Sequence, residues 1–204
     1  MNKQTILVVI IALLIGGAGG YTIANKKHTT EKFPSGMHVM EDGTMMDDKN
    51  VDMMQMDHSG MMVESERAFI EGMIPHHQEA VDTANEVIAR GGTTPEIKSL
   101  VENIVIAQET EIADMKQWYQ DWYNEAYVDN GTYVPMMREL GNLSGAELDR
   151  VFLEDMIGHH MGAIMMAQSV QPYIKHEEIS ELTKAIATTQ SAEITEMKRI
   201  LETL

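Results

Sequence analysis

Two short stretches, MIPHHQEAVDTA from Met73 and MIGHHMGAIMMA from Met156, each place a pair of histidines three and four residues after a methionine. On a helix, residues three and four apart share a face. Met73 therefore neighbours His76 and His77, and Met156 neighbours His159 and His160. Farther along the chain Gln108, Glu111 and Met115 recur as Gln190, Glu193 and Met197, again at helical spacing. Folding each stretch against its partner would bring Met73, a histidine and Met115 together, with Met156, a histidine and Met197 as the twin cluster. The spacing leaves open which histidine of each pair turns to the site. Gln108 and Gln190 are read as interhelical hydrogen-bond partners or as groups that orient an imidazole, the second preferred. Glu71, Glu154, Glu111 and Glu193 are read as solvated or salt-bridged.

A thioether is a soft, uncharged ligand suited to Cu(I), and by the same softness to Ag(I), while zinc sites draw on thiolate, imidazole and carboxylate. The chain has no cysteine, which removes disulfides, thiolate sites and cysteine nucleophiles. A methionine on a helix stripe usually fills a core. Here it recurs twice beside paired histidines, and that repetition is what argues for ligands. The second copy adds Met161, Met165 and Met166 where the first has Gln78, Asp82 and Thr83, so residues 156–166 are expected to hold metal more strongly or to hold a second ion.

These residues need a frame. FIEGMIPHHQEAVDTA at 69–84 aligns without a gap on FLEDMIGHHMGAIMMA at 152–167, and residues 96–116 align on 178–198. The unit is a helical hairpin, used twice. One hairpin cannot bury its apolar stripe alone, so the expected fold is all-α, a four-helix bundle over 63–204 with repeat one at 64–126 and repeat two at 145–204. Helix one is expected from near Glu64 to Ala89, with Pro75 bending it ahead of the histidines. Thr93 with Glu96, and Ser144 with Glu147, read as capping boxes that open helices two and three. His176 falls in a loop with no evident partner.

Two further regions precede the bundle. Residues 5–24, TILVVIIALLIGGAGGYTIA, are uncharged over roughly the ~20 residues a bilayer crossing requires. Residues 1–25 are thus read as a membrane anchor or signal segment, with an uncleaved anchor preferred and the bulk of the chain outside the cytoplasm. Residues 26–62 show no helical or strand periodicity and read as a flexible linker. Of the chain's 19 methionines this linker carries nine, at 37, 40, 45, 46, 53, 54, 56, 61 and 62. Met53, Met54, Met56, His58, Met61 and Met62 are taken as weak, exchanging metal contacts. The net charge of -17 excludes nucleic acid as a partner and favours cations.

The motif F-I-x-x-M-I-P-H-H-x-x-A at Phe69–Ala80, followed by Q-x-x-E-I-x-x-M at Gln108–Met115, resembles the hallmark of the domain-of-unknown-function 305 family. It returns at Phe152–Ala163 and Gln190–Met197, with Gly158 where the family favours proline. The stretch MDHSGMM at 56–62 also resembles the repeats of copper-resistance proteins. The resemblance implies a ferritin-like helical bundle and a periplasmic protein that binds copper and silver. The expected function is that of an extracytoplasmic Cu(I) buffer or chaperone, without catalysis, exchanging ions with a copper-exporting or copper-receiving protein. Two rivals remain. A ferritin-like redox enzyme would use Glu-x-x-His pairs, whereas Glu71 and Glu154 lie five residues before His76 and His159. A metal-free helical interaction module is the other.

Overall fold

The structure, a computed structural model, describes residues 61–204 and the backbone of 37–39 and 45–47. Four helices follow one another: α1 (Glu66–Arg90), α2 (Pro95–Tyr123), α3 (Gly145–Ser169) and α4 (Glu177–Leu201), with a 3-10 turn at Gln171–Tyr173 between the last two. α1 packs along α2 and α3 along α4. The two hairpins meet chiefly through α1 against α3, while α2 and α4 touch little. The histidine-bearing helices are therefore the inner pair. Small side chains allow that approach: Ala80, Ala84, Ala163 and Ala167 are buried, and a Cβ on Gly72 of α1 would stand 3.4 Å from the sulfur of Met166 on α3. One apolar cluster, including Phe69, Ile70, Met73 and Met115 with Ala163, Met166, Ile179 and Ile186, spans both hairpins. The bundle expected from the repeat is the bundle observed.

The helix starts differ in detail. Ser65 caps α1 through Ala68 N at 3.0 Å. At α2 the cap is Thr94, accepting from Ile97 N at 3.3 Å, and not Thr93. The Thr93 hydroxyl instead donates to Asp149 Oδ2 at 2.6 Å, a charge-assisted bond stronger than a neutral cap. Ser144 stands at the start of α3, but its side chain makes no capping bond. α1 runs unbroken through Pro75.

Two buried carboxylates hold the ends of the hairpins. Asp149, fully buried on α3, accepts from Gly92 N at 2.7 Å and Thr93 N at 2.8 Å in the α1–α2 turn. Gly91 permits the approach, because a Cβ there would lie 2.5 Å from Asp149 Oδ1. Glu66 accepts from Lys175 N at 2.6 Å, His176 N at 2.7 Å and His176 Nδ1 at 2.8 Å, and the His176 ring stacks on Trp122 with centroids 3.8 Å apart. His176 thus has partners that lie too far along the chain for spacing to reveal. Burial alone would raise the Glu66 carboxyl, but the bonds from Lys175 and His176 outweigh it and hold the group below the usual range.

The bundle's packing begins at Met61, which is buried with Val63, two residues before the expected boundary. Val63 N donates to Ser169 Oγ at 3.1 Å, and that hydroxyl donates to the Met61 carbonyl at 3.2 Å. Met61 joins the apolar cluster, and Met62 beside it is exposed. A separate unit, Met1–Asp57, contains two short strands, β1 (Met37–Val39) and β2 (Met45–Asp47), paired antiparallel with His38 opposite Met46. These strands fall in the segment whose sequence shows no strand periodicity, and Asp42-Gly43 between them is a hairpin signal. The 5–24 segment and Met53, Met54, Met56 and His58 lie outside the described residues. Among the described residues no helix is long and apolar enough to cross a membrane.

Replacing Asp149 with Ala strands two backbone donors and one hydroxyl, and is expected to lower the unfolding free energy by about 1–3 kcal/mol in urea denaturation. For Glu66, the lowered folded value means its stabilisation is complete above the ordinary carboxylate value of roughly 4.5 and is lost as pH falls below it. Melting temperatures measured from neutral pH downward should fall more steeply through that window for the wild type than for Glu66→Gln.

Candidate metal centre

Successive residues on a helix point about 100° apart, so His76 and His77 cannot share a neighbour by default, and neither can His159 and His160. The structure divides them. The first of each pair turns to the opposite hairpin: the rings of His76 and His159 lie with centroids 3.7 Å apart and planes tilted by 34°. The second turns to its own hairpin. His77 Nε2 lies 2.7 Å from Glu111 Oε2, and His160 Nε2 lies 2.7 Å from Glu193 Oε2. All four imidazoles are at most 1% exposed. Both nitrogens of His76 and of His159, and Nδ1 of His77 and His160, have no hydrogen-bond partner.

A buried polar atom without a partner is costly, and most such atoms in native proteins are satisfied. Glu111 and Glu193 each stand against Nε2 of a buried imidazole, the position second-sphere carboxylates take at metal sites. Glu111 and Glu193 are thus paired with the buried histidines, in keeping with the salt-bridged reading. Gln108 and Gln190, read as the orienting groups, do not fill that role: Gln108 is buried with its amide unpaired, and the Gln190 carbonyl is unpaired too.

Burial pushes His76 well below the usual imidazole range, and the three neighbouring histidines push the same way. Burial also lowers His159, against a partial upward pull from Glu79. Glu79 Oε2 stands 3.4 Å from His159 Nε2, near enough for attraction but without hydrogen-bond geometry. Burial would raise the Glu79 carboxyl, yet the contacts with His159, Tyr133 and the Met136 and Met137 backbone hold it below its usual range. These shifts favour the neutral imidazole at His76 and His159 and the carboxylate at Glu79.

The methionines are placed unequally. Met73, Met115, Met156 and Met197 are fully buried, and Met73, Met115 and Met166 share the main apolar cluster. Met161 and Met165 are half-buried on α3, with Met165 at the rim of that cluster. Among the described residues no three His, Asp or Glu side chains converge as a metal site by themselves. Imidazole donors disfavour Mg, Ca or Mn, and a thioether joining them suits a soft monovalent ion. Sequence reasoning missed Glu79, Tyr133 and Met136. The last two lie in the connection between the repeats, where no periodicity singles them out.

Residues 20–119 and 66–201 match the profile of the family described as "Domain of unknown function (DUF305)". CopM in its Cu(I)-bound form is 35% identical, with a TM-score of 0.63 over 69% of this chain and 98% of its own. CopM in the Ag-bound form obtained by soaking is also 35% identical, with a TM-score of 0.61 over the same shares. A DUF305 fragment from Deinococcus radiodurans is 26% identical, with a TM-score of 0.58 over 67% of this chain and 94% of its own. No curated protein matches.

The two carboxylate–imidazole bonds differ in solvent access, the Glu193 side chain being 6% exposed and the Glu111 side chain 20%. Water can replace Glu111 more readily than Glu193. Glu193→Ala should therefore destabilise the apo-protein by about 1–3 kcal/mol in chemical denaturation, and Glu111→Ala by less.

Proposed function

The chain belongs to the DUF305 family, and on that premise we propose that it is an extracytoplasmic Cu(I)-binding protein, with Ag(I) as surrogate, acting as a copper buffer or chaperone. The observation that carries this reading is the buried quartet His76, His77, His159 and His160, most of whose ring nitrogens have no partner inside the protein. A dry core that leaves those nitrogens bare is destabilised unless something takes up their lone pairs. The absence of cysteine and the buried methionines on the same helices favour a soft ion that needs no thiolate. Supporting it are the Cu(I)- and Ag-bound forms of CopM, which share 35% of their residues with this chain.

In this reading residues 5–24 anchor the chain, and the methionines of the 26–62 linker gather ions in weak, exchanging contacts. The bundle holds them more firmly, and a copper-exporting or copper-receiving protein takes them over. Ions are cargo here, and no reaction is assigned to the bundle. A net charge of -17 helps concentrate cations around it.

Titration of the full chain with Cu(I) in competition with a chelator, beside a parallel titration with Zn(II), tests the reading. Cu(I) is expected to bind far more tightly than Zn(II). Replacing His76, His77, His159 and His160 together with Ala should remove the tight class of sites while leaving weak linker binding, with the helical circular dichroism spectrum as the check on folding. Equal preference for Zn(II), or tight Cu(I) binding undiminished in that variant, overturns it.

A further inference from the structure

The two repeats differ at one position that faces the central histidines. Glu79 on α1 corresponds to Gly162 on α3, each three residues beyond the first histidine of its pair. Had both copies kept Glu, the centre would carry two carboxylates; had both kept Gly, nothing would reach out of it. The divergence has consequences on both sides.

On one side, Glu79 fastens the connection between the hairpins over the centre. Its Oε1 accepts from Met136 N and Met137 N, each at 2.9 Å, and its Oε2 accepts from the Tyr133 hydroxyl. The Tyr133 ring stands edge-on to His76 with centroids 6.1 Å apart. On the other side, Gly162 leaves room. A Cβ at that position would lie 3.2 Å from His76 Nε2, 3.3 Å from Met136 Cε and 3.5 Å from Met136 Sδ. The imidazole nitrogen and the thioether sulfur thus border one small space that a single methyl group would enter. His76 is fully buried, and that nitrogen has no partner.

We propose that His76 Nε2 and Met136 Sδ form a soft-metal site between the hairpins, with Met136 as a ligand supplied by the connecting segment and Glu79 as the residue that positions it. The proposal rests on the copper-binding reading and names one site within it. It differs from the clusters expected inside each hairpin, because its sulfur comes from neither repeat. One nitrogen and one sulfur suffice for a d10 monovalent ion, which accepts two ligands, whereas Zn(II) asks for four. The His159 ring, 3.7 Å from His76 by centroid and tilted to it, restricts the ligating ring, and Glu79 Oε2 stands 3.4 Å from His159 Nε2.

Such a site also has a release path. The thioether rides on the connecting segment, where Glu79 holds the Met136 and Met137 amides and Asp155 and Glu154 hold Arg138 beside them, so loosening the Glu79 contacts releases the fastening at the ligand itself without disturbing a helix. A carrier needs that property more than a rigid cage does.

The test uses the full chain with its methionine methyl groups labelled with 13C, titrated with Ag(I) and followed by NMR, the Met136 signal being assigned by its loss in Met136→Leu. The Met136 methyl and the His76 ring are expected to shift together within the first equivalents. Met136→Leu should weaken that site by at least the ~10-fold that loss of a supporting group costs at metal sites. Gly162→Ala, which removes no donor but fills the space, should weaken it comparably. A Met136 signal that stays put while other Met or His signals move to saturation overturns this site and leaves the copper-binding reading standing, as does wild-type affinity in both variants. If no Met or His signal moves at all, the copper-binding reading fails with it.

Discussion

Four imidazoles are packed into the dry middle of a small helical bundle, and the rest of the architecture answers to that placement. Burying an imidazole without partners forfeits its hydration, and at His76 this depresses proton affinity well below normal. The fold does not compensate by surrounding the rings with hydrogen bonds. It satisfies one nitrogen each on His77 and His160 and leaves both nitrogens bare on His76 and His159. Such a core is tolerable because the apolar cluster around it, from Phe69 and Ile70 to Ile179 and Ile186, supplies the stability that the polar centre withholds. The arrangement sacrifices stability in the apo-protein and keeps donors available for an ion.

The duplication supplies the frame. Two copies of one hairpin, joined along the helices that carry the histidines, bring equivalent residues face to face near a common axis. This explains why His76 meets His159 while His77 and His160 each meet a carboxylate of their own hairpin. The same pairing would hold for any bundle that joined α1 to α3 and would fail for one that joined α2 to α4.

Much of this was legible beforehand. The repeat fixed the hairpins, and apolar spacing fixed the four helices to within two residues at the start of α1 and one at its end. Local rules failed where a distant group intervened. Thr93 has the chemistry of a cap, but Asp149, more than fifty residues away, claims its hydroxyl. His176 looked solitary because Glu66 and Trp122 come to it only in the folded chain. The histidine pairs could not be resolved from spacing because both members are equally close to Met73 or Met156 along a helix. Only the choice of which helices meet separates them. The metal-ligand role of the buried methionines was inferred from their neighbours, and burial by itself is equally what a core methionine shows.

The residues that escaped notice share a cause. A repeat draws attention to what is preserved, and the positions that break its symmetry read as drift. Glu79 and Gly162 occupy one position of the repeat and face one centre, yet one reaches outward to hold the connection and the other clears space beneath it. Neither substitution is informative alone. Together they break the near-twofold symmetry of the centre, bringing the Met136 segment over it on Glu79 and leaving room for the Met136 thioether at Gly162. On the proposed reading, a symmetric pair of sites would present an incoming ion with two equal choices and this centre two unlike ones. That inequality is what directional handover would use, and the two copies of the repeat carry it at a single matched position.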